Sequence, residues 1–228
     1  MRARNLVVRV VLGVLPCALA APACRDERPT QLADGAPARA SPVVLEGVSH
    51  KAIATGLEVV PLARVSPRSA LAGCLGRLSI DAPVTTIVVR TGALGRSVTV
   101  GTVSHRALYA CDGRPAQGSG RAHWCGTAYG RLEHGRLLDP RLDLSACTDS
   151  SGRPLAFAWV EPRDDARYVA VRQPGYTEVY PVRGRIPVRI ATTAGVDLEG
   201  SRASFEISEH DARGRLLRAY ELEASVAG

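Results

Sequence analysis

Cys111, His123, Cys125 and His134 are the residues whose types could do chemistry together, and all four lie in the stretch from His105 to Cys147. A thiolate beside an imidazole is the working pair of a thiol protease. His123 and Cys125 stand two positions apart, so on a strand they share a face, but no third group is at hand to orient the base. The same four side chains have the composition of a zinc site. Their spacings of eleven, one and eight intervening residues lack the short Cys-x2-4-Cys knuckle of structural zinc modules. Four body cysteines, Cys74, Cys111, Cys125 and Cys147, are better explained as disulfide partners in an oxidising compartment. The sequence therefore assigns no catalytic residue, no metal ligand and no cofactor.

Other motifs point the same way. Gly118-Ser119-Gly120 is too short for a Gly-x-Ser-x-Gly nucleophile elbow, and no phosphate loop, dinucleotide fingerprint or calcium loop occurs. Asp139, Asp143 and Asp149, like Asp164 and Asp165, read as solvated turn carboxylates. Tyr176 and Tyr180 share a strand face and read as packing between sheets.

The elements that position these residues are short. Ala107 to Cys111 is an apolar run cut off by Asp112-Gly113, a pair that favours a tight turn, so a strand is expected to end at Cys111. Arg114 to Arg121 is Gly, Pro and Ser rich and reads as loop; His123 to Tyr129 resumes as the second strand of a long hairpin. Four cysteines allow three connectivities, and sequence excludes none. Adjacency favours Cys111 with Cys125, worth roughly 3 kcal/mol on the chain-entropy model. It leaves Cys74 with Cys147 to close a loop of about 70 residues, worth about 4 kcal/mol.

Before this region, Leu57 to Val60 reads as an early strand, and Ser66-Pro67 followed by Arg68 to Leu75 as the one short helix. Serine is placed at its N-cap, proline at its first position and Gly76 at its stop. Val84 to Arg90 and Arg96 to Val103 make a Val, Ile and Thr rich hairpin. After it, Leu142 and Leu144 alternate, and Leu155 to Val160 is an apolar run bracketed by Pro154 and Pro162, hence a buried strand. Tyr168 to Arg172, Tyr176 to Val182 and Ile186 to Thr192 follow as strands. In the last of these, Ile186, Val188 and Ile190 face one way and Arg189 the other, which predicts a half-buried strand. Ala203 to Ile207 and Tyr220 to Val226 complete the set. Strands at intervals of about 8 to 12 residues predict an all-β fold, an antiparallel sandwich or partly closed barrel. The divisions expected are residues 46–152, a disulfide-stapled β unit, and 153–228, an antiparallel β unit, with the boundary at Ser150 to Pro154.

The start of the chain supplies a compartment. Arg2, Arg4 and Arg9 precede an apolar run, and Ala18-Leu19-Ala20 is a small-x-small cleavage pattern, so residues 1–20 read as an export signal. The uncharged run from Val10 to Ala23 is shorter than the roughly 20 apolar residues a spanning helix needs. Ala21-Pro22-Ala23-Cys24 resembles the lipobox of bacterial lipoproteins, which implies that Cys24 carries lipid and anchors the chain to a membrane. Lipidation at Cys24 would also turn an odd set of exported cysteines into an even four. Plain secretion after Ala20 is the alternative. Residues 21–45, rich in Pro, Ala and charge, read as a disordered tether.

Removing the three signal arginines leaves 26 basic against 22 acidic residues, an excess too small and too scattered to argue for nucleic acid. Lys51 is the only lysine and Asn5 the only asparagine, so residues beyond the signal hold no N-glycosylation site; the arginine bias reads as GC-rich bacterial coding. The functional expectation is an exported, lipid-anchored, non-enzymatic protein of the bacterial cell envelope that binds a protein or glycan partner. The alternative is a cell-wall hydrolase or transferase whose site is assembled only on folding, from His105, His123 and the turn aspartates.

Overall fold

A computed structural model describes residues 43–102, 107–115, 122–133, 136–137, 141–183, 186–197 and 202–226. The export signal, Cys24 and most of the tether lie outside the described residues, as do His105, His134, Asp139 and Gly118 to Gly120. In chain order the strands are β1 (Ile53–Ala54), β2 (Gly56–Val59), β3 (Val84–Thr91), β4 (Arg96–Thr102), β5 (Ala107–Pro115), β6 (Ala122–Glu133) and β7 (Arg136–Leu137). They continue as β8 (Arg141–Thr148), β9 (Pro154–Val160), β10 (Tyr168–Gln173), β11 (Tyr176–Pro181), β12 (Val188–Ala191), β13 (Arg202–His210) and β14 (Leu216–Val226). Among the described residues one α-helix, α1 (Ala70–Leu75), and one 3-10 turn, Leu62–Arg64, interrupt them.

The all-β reading holds, and the strands stack as layers. Strands β2 to β7 form a meander in sequence order, each antiparallel to the next. The other strands form a sheet in the order β1-β11-β10-β13-β14-β8-β9-β12. This sheet folds over where β14 meets β8 through the parallel pairs Ser225 with Arg141 and Val226 with Leu142. Val169 and Val171 of β10 and Phe205 and Ile207 of β13 then pack against Ala156 and Ala158 of β9 and Ile190 of β12. No barrel closes. Instead the Gln173 side chain, at the end of β10, donates to the Ala191 carbonyl (2.9 Å) and accepts from the Thr193 amide (2.9 Å), pinning the sheet's two arms together.

The arm β8-β9-β12 is a middle layer. Its second face carries Leu155, Phe157, Trp159 and Ala191, which meet Leu108, Ala110, Cys125 and Ala128 of the meander. Burial on both faces explains why Leu155 to Val160 is an unbroken apolar run with no polar alternation. It also corrects the half-buried reading of Ile186 to Thr192, because every residue of β12, Arg189 included, is buried. Strands β8 and β9, on either side of the expected boundary at Ser150 to Pro154, are antiparallel neighbours in one sheet.

Helix α1 covers the far face of the meander, over Ile87, Val89, Val98, Val100 and Tyr109. It begins later than expected. Ser66 to Ser69 forms a turn, with the Ser69 amide bonded to the Ser66 carbonyl (3.0 Å), and Ser69 serves as N-cap by accepting from the Ala72 amide (3.2 Å). The Trp124 indole of β6 donates to the Ala70 carbonyl (3.1 Å), fixing the helix to the sheet.

Candidate functional site

The four cysteines pair as Cys74 with Cys111 and Cys125 with Cys147, at Cα separations of 5.8 and 5.2 Å. This corrects the expected Cys111–Cys125 and Cys74–Cys147 bridges. The physical reason is a bulge. Asp112-Gly113 does not turn the chain; β5 runs on to Pro115, and the register with β6 slips so that Asp112 faces Gly126 while Gly113 faces Trp124. Cys125 is thus the extra residue, and a bulge re-aims its side chain. Cys111 points towards α1, whereas Cys125 points into the middle layer, so the two thiols leave the sheet on opposite faces. One bridge staples α1 to the meander and the other staples the meander to β8.

The bridges also take the suspected chemistry apart. Cys125 is committed to Cys147, and His123 is exposed on β6 opposite Arg114. Cys111 and Cys125 belong to different disulfides, so the His and Cys set is not brought together. No group of three or more His, Cys, Asp or Glu side chains is arranged to hold a metal among the described residues. Asp149 is absorbed by its own turn: Oδ1 accepts from the Ser151 amide (2.8 Å) and hydroxyl (2.6 Å), and Oδ2 from the Gly195 amide (2.7 Å). The Ser151 hydroxyl, the Gly195 amide and their neighbours hold its carboxyl far below the usual carboxylate range. Asp165 is paired with Arg163 at 2.9 Å.

Asp143 is not a solvated turn residue. It lies on β8 and accepts from Arg189 Nη1 (2.7 Å), while Asp112 accepts from Arg189 Nη2 (2.8 Å) and Nε (3.2 Å). The Arg189 guanidinium also stands 4.8 Å from the Trp159 ring centre and 5.6 Å from that of Phe157. Burial opposes its charge, but the two carboxylates outweigh burial and hold it protonated. Burial pushes the Asp112 carboxyl up against the pull of Arg189. The two directions conflict, and the ionised pair is the state that fits, because a neutral Asp112 would leave the guanidinium with Asp143 alone.

Tyr176 and Tyr180 do share a face of β11, and Glu178 shares it with them. Tyr180 is buried and its hydroxyl donates to Glu178 Oε2 (2.7 Å). Glu178 is itself buried and its Oε1 accepts from the Ala93 amide (3.1 Å). Glycine at position 92 leaves room for this carboxylate, since a Cβ there would meet Glu178 Oε1 and the Thr55 methyl. A charged residue between two aromatics at period two was the readable signal for this buried polar line, and sequence reasoning passed over it.

The outer face of the folded-over sheet carries a groove of about 450 Å³. Ala170 and Arg172 of β10, Thr177 of β11, Glu206 and Ser208 of β13 and Glu221 of β14 are among its lining residues, and Glu46 to Val48 form a rim. The rim is fixed: Glu46 bonds both the Gly214 carbonyl (2.8 Å) and the Leu216 amide (3.0 Å). Gly214, at φ 81°, sits so close to the Val44 carbonyl that any side chain there would collide. Within the groove Arg172 donates to Glu206 (3.1 Å) and to the Gly47 carbonyl (3.2 Å), and Glu221 is bonded by Ser204 from outside it. Glu206 and Glu221 alternate with the apolar residues of their strands; that they share a groove with Arg172 depends on the order β11-β10-β13-β14, which sequence does not state.

Two buried disulfides suit a non-reducing, extracytoplasmic environment. No helix among the described residues is long and apolar enough to cross a membrane. No protein-family model matches the chain, and neither a curated protein nor a solved structure is significantly similar to it.

Proposed function

We propose that the chain is exported, anchored by lipid at Cys24, and serves the bacterial envelope as a non-enzymatic module that binds a glycan segment in the outer groove. The observation that carries the reading is the groove itself. Its volume falls within the roughly 300–1,000 Å³ of ligand sites. Glu206 and Glu221 offer acceptors, Arg172 a donor and Ser208 and Thr177 both, while Ala170 and Ala219 supply apolar floor. Alternating acceptors and donors over an apolar floor suit a sugar, with hydroxyls at its edge and C–H groups on its face. Arg172 and Glu206 are already held by each other, so little ordering is needed on binding. The commitment of Cys125 to a disulfide and of Asp143 and Asp149 to structural bonds speaks for binding over hydrolysis.

Titration calorimetry with solubilised envelope glycan fragments tests the groove. Binding to the wild type that weakens tenfold or more in Arg172→Ala/Glu206→Ala is the expected result; a folded protein that binds no fragment at millimolar concentration removes the reading. The anchor is tested by Cys24→Ala, which should move the protein from the membrane fraction to the medium. Wild-type protein found only in the medium and beginning at Ala21 would exclude it.

A further inference from the structure

Arg90 of β3 is 2% exposed, yet among the described residues no carboxylate pairs with it. Its Nη1 donates to the Pro187 carbonyl (3.1 Å) and its Nη2 to the Ile186 carbonyl (3.4 Å). Its Nε–H has no partner among the described residues. Arg189, as deeply buried, shows what the fold does elsewhere with such a charge, since two carboxylates meet it. Two carbonyl dipoles are a poor substitute for an anion. Burial accordingly pulls the Arg90 guanidinium down to about 10, opposed in part by Tyr180.

A cavity of about 20 Å³ adjoins this side chain. Arg90, Arg96, Arg189, Ser97 and Glu178 line it, together with the turn from Gly92 to Gly95. Arg96 also has a buried Nε–H without a partner among the described residues. The space suits a single water-sized particle, since about 10–15 Å³ of such volume is enough for one. Sulfate or phosphate would not fit. A water could accept from one N–H but would leave a full positive charge in a low-dielectric interior, where uncompensated ions are costly. Glu178 does not accept from Arg90: its Oε2 takes the Tyr180 hydroxyl and its Oε1 the Ala93 amide.

We propose that this cavity is a binding site for a monatomic halide, chloride in ordinary media, held by Arg90 between the meander and the folded-over sheet. The anion supplies the acceptor that the Arg90 Nε–H lacks and the charge that the nearby carbonyls cannot. It acts as a structural ion and is independent of the glycan reading.

Crystals of the wild-type protein grown in sodium bromide, with data collected at the bromine edge, test the site directly. An anomalous peak in the cavity beside Arg90 is expected; density there without anomalous signal at molar bromide overturns the proposal. In solution, thermal unfolding is compared in sodium chloride and sodium gluconate at equal ionic strength. Tm should rise by roughly 2–5 °C for each tenfold increase in chloride above its dissociation constant. Arg90→Met should abolish that dependence. Equal wild-type Tm values in the two salts would also overturn the site, and the wild-type measurements decide the matter even where Arg90→Met fails to fold.

Discussion

Arg189 of β12 and Asp112 of β5 join two layers of the fold through paired hydrogen bonds, with both side chains shut off from solvent. The pair fixes how the meander sits on the middle layer, because apolar contact alone tolerates sliding and a buried ion pair does not. Arg189→Met leaves Asp112 buried without its partner and should cost roughly 3–5 kcal/mol in urea unfolding. The double variant Arg189→Met/Asp112→Leu should recover much of that loss. A double variant no more stable than Arg189→Met would show that the pair contributes more than mutual neutralisation.

Peptide mapping without reduction should recover Cys74 linked to Cys111 and Cys125 linked to Cys147. The bridges close separations of 37 and 22 residues, which corresponds to roughly 3–4 kcal/mol each on the chain-entropy model. Cys125→Ala/Cys147→Ala should therefore lose about that much, and a fragment linking Cys111 to Cys125 would contradict the bulge.

Acid should act through Asp149. Its carboxyl is held down by the Ser151 hydroxyl first and the Gly195 amide second, so the folded state favours the charged form. That contribution is complete above the unfolded value of about 3.9 and is lost as pH falls towards the lower folded value. Asp149→Asn should be less stable at neutral pH and should lose less on acidification from pH 5 to pH 2. Parallel pH profiles for variant and wild type would refute this.

Alkali should act through tyrosine. Burial pushes Tyr220 up to about 12, with Glu209 adding to the shift, and raises Tyr180 and Tyr176 as well, each beside Glu178. Unfolded tyrosines release their protons near pH 10, so stability should fall above that pH as the unfolded state ionises first. Absorbance at 295 nm should show these three tyrosines ionising together with unfolding, and Tyr220→Phe should soften the decline. Smooth ionisation of all six tyrosines in a still-folded protein would count against it.

Strand positions were legible because alternation and turn residues are local. Leu155 to Val160, Tyr168 to Arg172 and Ala203 to Ile207 fall within the strands that their pattern predicts. What lies across each face was not legible. Arg189 reads as a solvent-facing residue by every local rule, and only a second layer opposite β12 makes it buried. Asp112-Gly113 carries a turn signal, but Asp112 is the carboxylate that Arg189 requires, and the chain bulges there instead of turning. A one-residue slip at that bulge was enough to exchange the disulfide partners. The groove was hidden for a similar reason, since it gathers residues from β10, β11, β13 and β14 that are neighbours only through the sheet order.

The cysteines pair each with the next one along the chain, 74 with 111 and then 125 with 147. Neither loop encloses or crosses the other. For a polypeptide emerging amino end first, each thiol meets its correct partner before any later competitor has arrived. With the earlier Cys24 thiol blocked by the proposed lipid, an oxidant that simply joins thiols in order of appearance yields the native pattern, with no wrong linkage for an isomerase to undo.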